Sequence, residues 1–360
     1  MTEPIPKNRI MDNYLQNRRR FLQSLGLISA TALTSSWTLP RINSRLKVDK
    51  REAVFNLIQT GKNQGYTPSG FFVHFGEGFK TGDAAVQKHL EYFNAVDIDF
   101  VKIQYESEFP LLSSIQKPED WSKMPFYKKD FFESQLYVVK ELVKKGKKSA
   151  PVIATLYSPF MSAGHSVTSE VLTEHMKQDP ERVKKGMGII TESTLIFARE
   201  CIKLGVDGFL ASTQGGEGFR FQDPAIFKNY VKPFDLAVMN EINDACSCNV
   251  LHICDYVGDY NDLSPFVDYP GHIVNCSMKV GNEMLHPQDI YDQFKRPVFG
   301  GLEKRGAIST ASASNLKSEV TDVFKNSPEG FVLGAECALL GDIDWKQIRL
   351  AVDLAHNQVG

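Results

Sequence analysis

From about residue 50 onward, short β-rich apolar runs alternate with amphipathic stretches of helical period. This repeating rhythm constrains the fold more than any other feature of the chain. The strand candidates are Phe71–Phe75, Phe100–Tyr105, Pro151–Tyr157, Val206–Ser212, Asn249–Cys254, His272–Met278, Pro297–Glu303 and Phe331–Cys337. Between them the periodicity predicts helices over Asp83–Asn94, Asp130–Lys145, Ile189–Leu204, Asp223–Asn243, Pro287–Phe294, Ala311–Lys325 and Trp345–His356. Asp130, Asp223 and Ser312 stand where capping residues belong. Residues 255–270 are too rich in Asp, Gly and Pro for more than a short helix around Tyr260–Phe266. Eight β-runs alternating with helices imply parallel βα units, and eight such units in about 300 residues fit a (β/α)8 TIM barrel. An open doubly wound sheet is the rival, but no G-x-G-x-x-G follows the first strand.

In such a barrel the active site lies at the C-terminal ends of the strands. Leu251-His252-Ile253-Cys254 ends the fifth run, and Cys337 ends the eighth, 85 positions after His252. Residues two apart on a strand share a face, so His252 and Cys254 project together. Imidazole and thiolate are zinc's preferred ligands, and a catalytic zinc takes three of them with one position left open. The expected metal ligands are therefore His252, Cys254 and Cys337. Taken alone, a His-x-Cys pair is a weak signal and more often ordinary core packing.

Other residues at the expected mouth are candidates by type and position. His74 is a candidate acid or base, or else a satisfied core histidine. Glu303 ends the seventh strand as a second acid–base candidate, or forms a solvated pair with Lys304 and Arg305. Gln104 and Tyr157 end strands and Gln214 follows one, which makes all three candidates for substrate binding. Thr213-Gln214-Gly215-Gly216-Glu217-Gly218 reads as a flexible loop covering substrate, since it lacks the lysine and serine of a phosphate loop. Glu336 is expected to point away from the ligands, Cys246 and Cys248 to lie at the opposite end of the barrel, and Cys201 to be core.

The first 48 residues differ in kind. Asn17-Arg18-Arg19-Arg20-Phe21-Leu22-Gln23 precedes a modest apolar stretch, Leu25 to Leu33, and the small residues Thr34-Ser35-Ser36. That layout describes a secretory signal, and Arg-Arg-x-Phe-Leu resembles the twin-arginine type, which exports folded proteins. The expected organisation is a leader over 1–48 and one barrel domain over 49–360, exported to an extracytoplasmic compartment. The alternative is a basic tail on a cytoplasmic enzyme. Past the N-terminus no run of 18 apolar residues exists, so no membrane span is expected. The formal charge of −2 and the lack of a basic stripe with interleaved aromatics argue against a nucleic-acid partner.

The chain from about residue 50 resembles the uroporphyrinogen decarboxylase (URO-D) superfamily. The residues that carry the likeness are Gly205-Val206-Asp207-Gly208-Phe209, Leu251-His252-Ile253-Cys254, Pro297-Val298-Phe299-Gly300-Gly301 and Gly330-Phe331-Val332-Leu333-Gly334. Within it, His-x-Cys with a distant Cys is similar to the zinc site of methyltransferases that move a methyl group from a corrinoid to a thiol. The resemblance implies Zn2+ on His252, Cys254 and Cys337, a small-molecule thiol acceptor, a corrinoid methyl donor and a corrinoid protein as partner. It departs from the decarboxylase branch at Phe71–Lys80, which has no arginine, and from the methyltransferases at Asn275-Cys276-Ser277-Met278-Lys279, which has no carboxylate for a fourth ligand. The loops after the strands carry eleven acids against five bases, a sign unsuited to a substrate with eight carboxylates. Uroporphyrinogen decarboxylation and a small-molecule-binding barrel without turnover are the two alternatives. Corrinoid donors are normally cytoplasmic, which sets the implied chemistry against the implied export.

Overall fold

The computed structural model describes residues 48–310 and 312–358. The expected leader falls almost wholly outside the described residues. The described residues form one compact unit by their contacts.

Eight parallel strands make one sheet: β1 Ser69–Gly70, β2 Val101–Ile103, β3 Val152–Tyr157, β4 Gly208–Thr213, β5 Val250–Ile253, β6 Ile273–Asn275, β7 Val298–Leu302 and β8 Phe331–Ala335. Their order around the sheet is β1-β8-β7-β6-β5-β4-β3-β2, which is the cyclic order of a (β/α)8 barrel. At the one junction without a ladder, β1 to β2, one backbone bond and two side chains take its place. The Asp99 N–H donates to the Ser69 carbonyl at 2.8 Å, and the Asp99 carboxylate accepts the Ser69 N–H at 2.7 Å. Further up, the Gln104 amide donates to the Val73 carbonyl and accepts from the Phe75 N–H. The first strand is shorter and earlier than the apolar run Phe71–Phe75 suggests; beyond Gly70 only an isolated bridge joins Val73 to Leu339. At this strand pair the backbones approach closely. A Cβ on Gly334 would stand 2.5 Å from the Gly70 carbonyl oxygen, so no larger residue fits.

Helix α1, Lys50–Thr60, precedes the barrel and was not legible as part of it. Asp49 caps it, and Gly61, at φ 69°, ends it. Arg51 grips Asp207, just before β4, through two 2.6 Å hydrogen bonds. Val54 and Leu57 thereby close the N-terminal end of the barrel, packing with Phe72, Phe100, Ile153, Leu210, Val250, Ile273, Phe299 and Val332 in one interior cluster.

Around the sheet run α2 Gly82–Val96, α3 Glu133–Gly146, α4 Pro159–Val167, α5 Ser169–Gln178, α6 Pro180–Leu204, α7 Lys232–Ala245, α8 Pro287–Phe294, α9 Ala313–Lys325 and α10 Trp345–His356. Asp223 and Ser312 cap as expected, whereas Asp130 lies inside a 3-10 turn, Lys129–Phe132, that leads into α3. Helices α4 and α5 have no counterpart among the sequence-based expectations. They meet at Thr168, whose φ of 80° is rare for a β-branched residue and whose hydroxyl caps α5. Among the described residues no helix is long and apolar enough to cross a membrane.

Strand alternation now sets the chemistry. Two residues beyond the apolar cluster, the inward positions are Lys102, Thr155, Ser212, His252 and Asn275, all of which line one cavity of about 860 Å³. The oily floor of the barrel thus gives way to a polar layer at its C-terminal mouth.

Candidate metal centre

His252 stands one residue before the end of β5 on the inner face, Cys254 follows that strand, and Cys337 follows β8 on a bend. Their ligand atoms lie within 4.8 Å of one another, and Cys337 Sγ is 3.7 Å from His252 Nε2. Around a tetrahedral zinc with ordinary bond lengths, such atoms stand about 3.5–3.8 Å apart. The Cys337–His252 spacing already fits the ion, and every other pair lies within about 1 Å of the fitting range.

The histidine is oriented for the task. Asn275, on β6, donates its amide N–H groups to the carbonyls of Phe299 at 2.8 Å and Ala335 at 3.0 Å. Carbonyls can only accept, so the amide oxygen must face His252, where it accepts from Nδ1–H at 2.5 Å. That leaves the lone pair of Nε2 on the side of Cys337. Metal-bound histidines are oriented this way, by a hydrogen bond from the other ring nitrogen.

The two thiols form a coupled pair. A hydrogen bond from Cys254 pulls the Cys337 thiol well below its usual value, and the Lys304 ammonium adds to the effect. The same bond pushes Cys254 up, and its burial acts in the same direction. One thiolate is thus favoured before any metal arrives. Gln214 adds an N–H directed at Cys254 Sγ, at 3.6 Å. Lys304 holds both carboxylate oxygens of Asp255 at 2.7 Å and stands 3.6 Å from Glu336. It thereby ties together the neighbours of the two cysteines. Glu336 is buried outside the cavity lining, and Ser277 donates to it at 3.4 Å.

The other sequence candidates divide. His74, Tyr157 and Gln214 line the cavity. His74 keeps an exposed edge at the cavity rim; partial desolvation there, with repulsion from Lys102 adding to it, pushes its imidazole down to about 4, so it is neutral at pH 7. Burial likewise keeps Tyr157 a phenol, and its ring packs edge-on against Tyr105 and His165. Gln104 is not in the cavity: β2 stops at Ile103, and the glutamine amide is spent sealing the β1–β2 seam. Glu303 is exposed in the loop after β7, also outside the lining.

The glycine-rich loop is fixed rather than flexible. Glu217 and Arg220, both fully buried, pair at 2.5 and 2.6 Å. Glu217 also accepts the Gly215 N–H, and Arg220 reaches Ser169 and Thr173 on α5. Several mouth acids are similarly engaged, Asp259 by Lys279 and Glu77 by Lys80. Sequence reasoning missed Lys102, although a charge inside the apolar run Phe100–Tyr105 was a visible signal. It also passed over Asn275 by looking there only for a carboxylate.

The family model for uroporphyrinogen decarboxylase (URO-D) matches residues 96–358. Among curated proteins, the chain is 25% identical over 269 residues to uroporphyrinogen decarboxylase of Aquifex aeolicus, covering 71% of this chain and 74% of that protein. It is also 25% identical over 174 residues to methylated-thiol–coenzyme M methyltransferase of Methanosarcina mazei, covering 44% of each. Among solved structures, a methyltransferase from Methanosarcina mazei matches with TM-score 0.69 at 13% identity, over 86% of this chain and 98% of that one. A B12-independent methionine synthase from Shewanella sp. W3-18-1 matches with TM-score 0.54 at 12% identity, over 81% and 97%. At such identities the structural likenesses speak for the fold.

Proposed function

The chain belongs to the uroporphyrinogen decarboxylase (URO-D) family, and within it we propose that this protein is a zinc-dependent enzyme that transfers a methyl group to a small thiol. The observation that carries the reading is the convergence of His252, Cys254 and Cys337, with Asn275 fixing the histidine tautomer. A methylated-thiol methyltransferase among the sequence relatives agrees with it. Zinc, when bound, supplies a Lewis-acid position that holds an acceptor thiol as thiolate near neutral pH.

The chain's own residues prepare that position. Asn275 orients His252, the Cys254 hydrogen bond holds the Cys337 thiol low, and Gln214 donates toward the sulfur of Cys254. Phe160, Met161, Tyr157 and Leu339 line the cavity and limit water at the reacting sulfur. The reaction is a displacement at a methyl carbon: the sulfur lone pair forms the new bond, and the donor departs with the electrons of the old one. A corrinoid, free or carried by a partner protein, is the donor class proposed. The decarboxylase reading draws support from the Aquifex relative. Against it stands the lining, where Lys102 is the sole lysine or arginine and Glu108 and Glu170 are acids, poorly matched to a polycarboxylate.

Metal analysis tests the proposal. Purified protein is expected to hold about one zinc per chain, and Cys254→Ala and Cys337→Ala to lose it. Cys201→Ala, Cys246→Ala and Cys248→Ala are expected to keep it. Metal retained in the Cys337 variant, or turnover of uroporphyrinogen by chelator-treated protein, refutes the assignment.

A further inference from the structure

Two polar groups on the barrel's inner face have no partner among the described residues, and they are neighbours. The Lys102 ammonium makes no hydrogen bond or ion pair; its contact is with the face of the Phe72 ring, 5.4 Å away. The Thr155 hydroxyl is buried and unpaired. In the β2–β3 register Lys102 stands opposite Ile153, so Thr155 is its diagonal neighbour on the same face. Both line the cavity that holds His252, Cys254 and Cys337.

Leaving such groups unsatisfied is costly for a buried hydroxyl, and more so for a cation in an apolar setting. Burial accordingly lowers Lys102 to about 8, which still leaves it mostly protonated at pH 7. Glu106, the carboxylate that acts on it most, is turned toward Lys80 at 3.8 Å. A charged donor and a hydroxyl donor side by side are complementary to one oxyanion. The remaining charges limit it to one. His74 is neutral, while Glu108 and Glu170, on the loop after β2 and on α5, oppose further negative charge.

We infer that Lys102 and Thr155 form an oxyanion-binding subsite, which takes the single carboxylate or sulfonate group of the small molecule bound beside His252, Cys254 and Cys337. That this molecule is also the methyl-accepting thiol rests on the function proposed above; the subsite itself does not. Lys102 is therefore a specificity-determining residue.

Calorimetric titration of the full-length, metal-loaded protein tests this with four probes: 3-mercaptopropionate, 3-mercaptopropanesulfonate, the neutral 3-mercaptopropionamide and sulfur-free propionate. The parent is expected to bind at least one anionic thiol about tenfold or more tighter than the amide, the worth of one charge-assisted hydrogen bond. The ratio of carboxylate to sulfonate affinity identifies which oxyanion the subsite prefers. Lys102→Met should erase the preference while leaving amide binding unchanged, Lys102→Arg should restore part of it, and Thr155→Val should weaken anions alone. Propionate binding as tightly as 3-mercaptopropionate, still dependent on Lys102, would support the subsite while ending the thiol reading. Equal affinity for acid and amide in the parent, an anion preference that survives in Lys102→Met, or no binding of any anionic probe at millimolar concentration overturns the inference. Thermal melting of each variant identifies loss of fold.

Discussion

Asn275 bears no charge, yet it decides which nitrogen of His252 faces Cys337. Its own amide has no freedom, because two backbone carbonyls, on Phe299 and Ala335, claim both donors. Those carbonyls belong to β7 and β8, and Cys337 follows β8, so one side chain on β6 ties His252 on β5 to both. Replacement by Ala frees the imidazole to rotate and to exchange tautomers. Groups that orient a metal-bound histidine typically contribute 10- to 100-fold to affinity. Asn275→Ala is therefore expected to bind zinc about 10- to 100-fold more weakly, as read by competition with a chromogenic chelator. Leu251→Val, a core change on the outer side of β5, the strand that carries His252, serves as the control for a general loss of packing. An Asn275→Ala affinity equal to that of the parent would show that the histidine needs no such support.

At the scale of elements, α7 is fastened to the barrel by a buried carboxylate. Asp235 accepts from the Thr213 hydroxyl at the end of β4, at 2.6 Å, and from the Tyr269 hydroxyl at 3.3 Å. Burial raises its carboxyl to about 7, far above an ordinary aspartate near 4. The folded chain thus holds this proton more tightly than the unfolded chain does. The resulting stability is complete below the unfolded value and is lost as pH rises through about 7. Asp235→Asn stays neutral throughout, so the variant should gain on the parent by a few kcal/mol (an order of magnitude) between pH 5 and pH 8 in urea unfolding. Parallel pH profiles for the two proteins would contradict this. The same scale shows what the sequence could and could not reveal. The runs around β3, β5, β7 and β8 were legible because burial on both faces makes them continuously apolar. The convergence of His252, Cys254 and Cys337 followed from strand order alone. The wall formed by α4 and α5 was not legible, since its turn rests on a threonine at positive φ rather than on a glycine. Gln104 misled for a related reason: at the ladderless seam a polar strand-end side chain serves the backbone rather than the cavity. Nor could the sequence show that Glu217 and Arg220, three residues apart, turn a glycine-rich loop into a fixed wall.

At the scale of the whole molecule, the thiols bear on where the protein works. Cys201, Cys246, Cys248, Cys254, Cys276 and Cys337 are all free in the fold, and Cys254 and Cys337 lie close enough to share a hydrogen bond. In an oxidising compartment an empty dithiol pair is open to oxidation, whereas a metal-bound pair is protected. A chain with these cysteines that leaves the cytoplasm is best served by folding and loading first. The twin-arginine route, which carries folded proteins, meets that need, and Arg18-Arg19 with Phe21-Leu22 has the sequence it reads. We propose that the protein is exported this way with its metal in place. Recognition by this route depends on the planar guanidinium pair, which lysine's point charge does not reproduce. The double substitution Arg18→Lys, Arg19→Lys preserves charge and leaves residues 49–360 untouched. It is expected to abolish the extracytoplasmic pool while leaving total protein and zinc per chain unchanged. Fractionation followed by element analysis of each fraction checks both parts. Normal amounts of the doubly substituted protein outside the cytoplasm would rule out the twin-arginine route. Metal-free protein outside beside metal-loaded protein inside would rule out loading before export.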